Sequence, residues 1–152
     1  MADIERSAFA AVPLVSLAAL LLSVACPWSP PRGSFHEKVV NAAADGESTV
    51  ALDVARERGW QTAYFFGPHS TEAEMNRILG FRCETCALVD IGERDDIDIL
   101  VLVKGSEGIR VEEVPRRDIE IAPDLLGRPF PPGTMFRLRA INGRLTLQRA
   151  SG

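Results

Sequence analysis

The residues best equipped for chemistry are Cys83-Glu84-Thr85-Cys86. A C-x-x-C pair lets one thiolate attack a disulfide while the second resolves the mixed intermediate, so the spacing suits thiol–disulfide exchange. Active pairs of that kind sit at a helix start, where the dipole lowers the thiol pKa. Here the motif follows a helix stop at Gly80, and Ala87-Leu88-Val89 beyond it has neither cap nor helical period. A structural disulfide across a tight loop is the favoured reading. Redox activity, metal binding and two free thiols are the alternatives, although one C-x-x-C without a second pair is weak for zinc.

His36 and His69 are the only histidines, and with the two cysteines they could complete a tetrahedral site. Their spacing matches no zinc module, so each is expected to be a solvated loop histidine and no metal site is assigned. Pro68-His69-Ser70-Thr71 stands just before a helix start, where free amides and the dipole favour an anion. His69, Ser70 and Thr71 are therefore a candidate anion or ligand loop, in competition with simple capping by Ser70 or Thr71. Glu93, Arg94, Asp95, Asp96 and Asp98 form an acidic run that lacks the central glycine and spaced oxygens of a calcium loop. It reads as a solvated turn. Arg137, Arg139 and Arg144, with Arg116 and Arg117 as possible additions, could dock acidic partners. No nucleophile elbow, phosphate loop or Ser/His/Asp set is present, so no catalytic residue is assigned and no cofactor is expected.

The elements that must position these residues are unevenly marked. Phe35 to Ala44 has weak helical character, and Asp45-Gly46 is a turn. Val50, Leu52 and Val54 alternate with Ala51 and Asp53, the period of a half-buried strand. Trp60 to Phe66 is rich in β-favouring aromatics. Thr71 and Glu74 form a T-x-x-E capping box, and Gly80 closes the helix they open. Ile97 to Val103 is nearly all apolar, which places it centrally with both faces covered. Gly105 to Gly108 turns it back into Ile109 to Val114, and Pro115 ends that strand. Arg116 to Gly133 holds four prolines and reads as loop, with one helical turn at Pro123 to Leu126. Asn142-Gly143 predicts a type I′ hairpin in which Ala140 faces Leu145, Leu138 faces Leu147 and Phe136 faces Arg149.

The stretch Trp60-Gln61-Thr62-Ala63-Tyr64-Phe65-Phe66-Gly67-Pro68-His69-Ser70, followed by a helix ending in Ile78-Leu79-Gly80-Phe81, resembles a motif of small uncharacterised bacterial exported or lipoprotein-type proteins. In that family a W-x-x-x-Y-x-F-x-P strand and loop precedes a short helix. The resemblance spans about 20 residues here, and the Leu100 to Lys104 strand and Val114-Pro115-Arg116 are also similar. It implies export and fold. It implies no activity.

Location is written at the other end of the chain. Ser7 to Pro31 carries no charged side chain, and its centre, Val12 to Ala25, is apolar. Leu14 to Leu22 with Ala25 fits a cleaved signal peptide. Leu22-Ser23-Val24-Ala25-Cys26 resembles a lipobox, which makes Cys26 the candidate lipidation site. Ala8 to Ala25 is also long enough for an uncleaved anchor. Against all three, Met1 to Arg6 holds Asp3 and Glu5 against one Arg6, whereas export signals begin with net positive charge. A buried helix of a soluble domain is the fourth alternative, and export is favoured over it. Pro27 to Gly33 is a semi-rigid spacer.

The predicted organisation is a leader or anchor over 1–26, a proline-rich spacer over 27–34 and a globular domain over 35–152. About 125 residues beyond the leader suffice for one domain and not for two. The net charge of −4 argues against a nucleic-acid surface. The expected class is α+β: an antiparallel sheet of about five or six strands with one principal helix, Thr71 to Leu79. The expected role is a non-enzymatic cell-envelope protein, tethered to the membrane by its N-terminal segment or secreted, that contacts an envelope protein or a cell-wall component. The alternatives are a thiol–disulfide protein using Cys83 and Cys86, or a small-ligand-binding domain built on the loops around Pro68 to Ser70 and Arg116 to Gly133.

Overall fold

The computed structural model describes residues 32–53 and 59–150, so the leader, Cys26 and most of the spacer lie outside the described residues. Among the described residues the architecture is α+β, with two helices and seven strands. Helix α1, Phe35–Ala44, starts at Ser34, whose hydroxyl accepts a hydrogen bond from the Glu37 N–H at 3.1 Å. The Glu37 carboxylate reaches back to the Gly33 N–H. Ser34 and Glu37 thus form an S-x-x-E start, and the helix is better fixed than its weak period suggests. Helix α2, Glu72–Leu79, begins and ends as its sequence predicts. Thr71 Oγ1 accepts from the Glu74 N–H at 3.2 Å, and Gly80 closes the helix in the left-handed region at φ 79°.

Strands β2 (Thr62–Phe66), β3 (Ile97–Lys104) and β4 (Glu107–Pro115) form a three-stranded antiparallel sheet with β3 in the middle. All seven residues from Ile97 to Val103 are buried, because each face of this sheet carries its own core. One face brings Phe65, Leu100 and Leu102 against α1 and the second sheet. The other brings Phe66, Ile99 and Val101 against Met75 and Leu79 of α2 and the cysteine loop. The continuous apolar run is the direct consequence.

The remaining strands, β1 (Thr49–Ala51), β5 (Ile119–Ile121), β6 (Met135–Ile141) and β7 (Arg144–Arg149), form a second sheet in the order β1-β6-β7-β5. The strands therefore divide between two sheets rather than sharing one. The reason lies in the proline-rich stretch beside β2. Phe130 exchanges two backbone hydrogen bonds with Ala63, at 2.8 and 2.9 Å. Its neighbours Pro129 and Pro131 have no N–H to extend the ladder, so the contact stays an isolated bridge. β5 lies inside the segment expected to be loop and runs parallel to β7, pairing Ile119 with Leu145 and Ile121 with Leu147. Three residues are too few to show a period.

The last hairpin has the register that its turn dictates. Asn142 and Gly143 take φ 53° and 78°, and Ala140, Leu138 and Phe136 face Leu145, Leu147 and Arg149. Phe136, Leu138 and Leu147 point into the core. There Phe35, Phe65, Phe130 and Phe136, one each from α1, β2, the proline-rich segment and β6, meet with centroids 5.1 to 6.3 Å apart. Trp60 is buried in the same core.

Candidate functional site

Three places gather the chemically capable side chains. The first is the cysteine loop. Cys83 and Cys86 form a disulfide with Cα atoms 5.2 Å apart, and both residues are fully buried. Local hydrogen bonds hold the loop: the Cys83 N–H donates to Asn76 Oδ1 at 2.8 Å, and Thr85 Oγ1 donates to the Gly108 carbonyl at 2.9 Å. A Cβ at position 108 would stand 2.7 Å from Cys83 Sγ and 2.9 Å from Thr85 Oγ1, so only glycine lets β4 pass this close. The motif does not open an α-helix. Cys86 begins a 3₁₀ turn, Cys86–Leu88, and neither sulfur reaches solvent. Exchange requires attack on an accessible sulfur, so this geometry supports a staple. Closing a four-residue loop is worth roughly 2 kcal/mol by chain entropy. Cys83→Ala/Cys86→Ala is expected to lose about that much in urea unfolding; an unshifted midpoint would remove the structural role.

The second place is the loop after β2. His69 sits in the left-handed region at φ 63°, which turns the chain sharply ahead of α2. Its N–H donates to the Ile91 carbonyl at 3.1 Å, and its Nδ1 lies 3.2 Å from the Gly92 carbonyl. The residue thereby ties α2 to the 3₁₀ turn Ile91–Glu93. Ser70 Oγ donates to the Gly67 carbonyl at 2.8 Å, while Thr71 caps the helix. The amides and hydroxyls suited to an anion are thus engaged in turn and cap geometry. The structure does bring this loop onto the other suspected one. Gly67, His69, Ser70 and Glu74 share a cavity of about 270 Å³ with Leu126 and Gly127.

The third is a set of buried charges that the sequence reading took as solvated, as with His36 and Asp98, or passed over, as with Glu112. His36 is 2 % exposed, which corrects the expectation of a solvated loop residue. Its Nε2 lies 3.1 Å from Asp118 Oδ2, and burial holds its pKa below the ordinary value against the pull of that carboxylate. Glu112 of β4 accepts the Phe35 N–H at 2.8 Å and pairs with Arg110 at 3.1 Å, binding the first turn of α1 to the sheet. Asp98 is 3 % exposed, with Arg116 Nε 3.9 Å from its carboxylate, and burial pushes it up to about 6. The acidic run is therefore only partly a solvated turn. Arg94 bridges Asp96 and Glu113 at the surface, at 2.8 and 3.1 Å, while Asp98 enters the core. Arg116 turns to Asp98 and to the Asp95 carbonyl. Two signals in the sequence could have found these groups. Ser34-x-x-Glu37 sets the start of α1 and hence the face carrying His36, and Asp98 is the lone carboxylate in a strand covered on both sides.

Among the described residues no group of three or more His, Cys, Asp or Glu is arranged to hold a metal ion. No helix among them is long and apolar enough to cross a membrane. Between α1 and β1 runs a groove of about 640 Å³. Compared with protein-family models, curated proteins and solved structures, the chain matches none of them.

Proposed function

We propose that this chain is a non-enzymatic cell-envelope protein, held to the membrane by its N-terminal segment, that acts through contacts with another envelope protein or a cell-wall component. The observation that carries this reading is a disulfide buried in the core of a chain that also carries the uncharged run Ser7 to Pro31 with its apolar centre. A permanent disulfide belongs to an oxidising compartment, and an uncharged run such as Ser7 to Pro31 is the kind of segment that reaches one. The likeness of Trp60 to Phe81 to small exported proteins supports the same placement.

Within this reading Cys26 is the anchor point. In bacteria fed a labelled fatty acid, the wild-type chain takes up label and sediments with membranes. Cys26→Ala takes up none and still folds. Absence of label from the wild type would defeat lipidation, and recovery of unlabelled, full-length chain from the cytosol would defeat the envelope assignment itself.

A further inference from the structure

The groove between α1 and β1 has a constructed edge. Among the described residues β1 is the edge strand of its sheet and pairs with β6 alone. The Ser48 carbonyl accepts from the Leu138 N–H at 2.8 Å, and the Leu52 N–H donates to the Thr134 carbonyl at 2.7 Å. In an antiparallel ladder the residues between such pairs turn their backbone groups the other way. Thr49 and Ala51 therefore present N–H and C=O away from β6, and among the described residues no strand pairs with that side. An unpaired edge is a template for another strand.

The walls beside this edge select its occupant. Val50, Ala51, Ala42 and Met135 supply an apolar floor, with Met135 46 % exposed. Among the described residues, Glu37, Asp45, Glu47 and Asp53 line the groove against a single cation, Lys38, which is itself drawn to Asp53 at 3.6 Å. The lining thus carries net negative charge.

We propose that the groove between α1 and the outer edge of β1 binds an extended, basic peptide segment of a partner protein as an added strand. Main-chain hydrogen bonds to Thr49 and Ala51 supply affinity, and alternate side chains place Lys or Arg against Glu47 and Asp53. The apolar positions between them turn to the opposite face, toward Val50 of β1 and Ala42 of α1. This names a class of partner for the contact role proposed above and rests on that reading only for where the partner is met. Binding is measured in solution, so its failure would leave the envelope assignment standing.

The test uses fluorescence anisotropy of a labelled Lys-Val-Lys-Val-Lys peptide, with Glu-Val-Glu-Val-Glu as control. The basic peptide is expected to bind saturably and more weakly as salt rises, and the acidic one not at all. Glu47→Lys/Asp53→Lys should weaken binding at least about tenfold by reversing the rim charge. Ala51→Pro, which removes an outward N–H while sparing the β6 ladder, should do the same. A probe N-methylated at its central residue repeats that deletion without altering the protein, should Ala51→Pro unfold it. Equal binding of the two peptides would overturn the proposal. So would no binding of the basic peptide, or binding indifferent to both backbone deletions.

Discussion

Phe136→Ala is expected to lower the unfolding free energy by about 3–5 kcal/mol, the range for deleting a fully buried aromatic ring. The ring is 0 % exposed and stands 5.1, 5.7 and 6.3 Å from Phe130, Phe65 and Phe35. Those three partners belong to the proline-rich segment, the first sheet and α1, so the cavity would open where every layer meets. Collapse around it is resisted because each partner is fixed by its own element. Urea unfolding measures the effect directly. A midpoint close to wild type would mean that the two sheets are not joined through this cluster.

The second large effect appears only as pH is varied. Burial raises the Asp98 carboxyl from 3.8 to about 6, with Arg116 opposing and Glu120 reinforcing the shift. Between these two values the folded chain holds a proton that the unfolded chain has released. The stabilisation is complete below pH 3.8 and is lost as pH rises through 6. Asp98→Asn has no such loss. Its stability relative to wild type should therefore climb by about 2 kcal/mol between pH 4 and pH 8, the part of the two-unit shift that falls in that range. His36 runs the other way: its lowered pKa gives stability above its ordinary 6.5 that disappears as pH falls. That loss is common to both proteins and largely cancels in the difference. Parallel stability curves across this range would contradict the burial of Asp98.

How much of this was legible in advance depended on the range of the signals. Asn142-Gly143 set the last hairpin to the residue, because positive φ at two adjacent positions admits one tight turn and one register. Thr71, Glu74 and Gly80 marked α2 for an equally local reason. The apolar run at 97–103 announced a strand covered on both faces. The partition into two sheets was not legible, since it depends on which strand meets Phe130 and its flanking prolines across some 65 residues of chain. β5 escaped because a parallel partner leaves no turn signature. The buried charges were hidden by composition. Asp98 looked like the end of an acidic turn, and only its place on the strand sends it inward. For the candidate sites, spacing foresaw the Cys83–Cys86 bond, while the groove beside β1 is a property of a sheet edge that no motif marks. Cys26 lies outside the described residues.

Intact mass of the chain recovered from growing bacteria tests the central claim most directly. A polypeptide beginning at Cys26, heavier by its lipid and lighter by the two hydrogens of one disulfide, is the predicted species. A full-length, unmodified chain with three free thiols would contradict it.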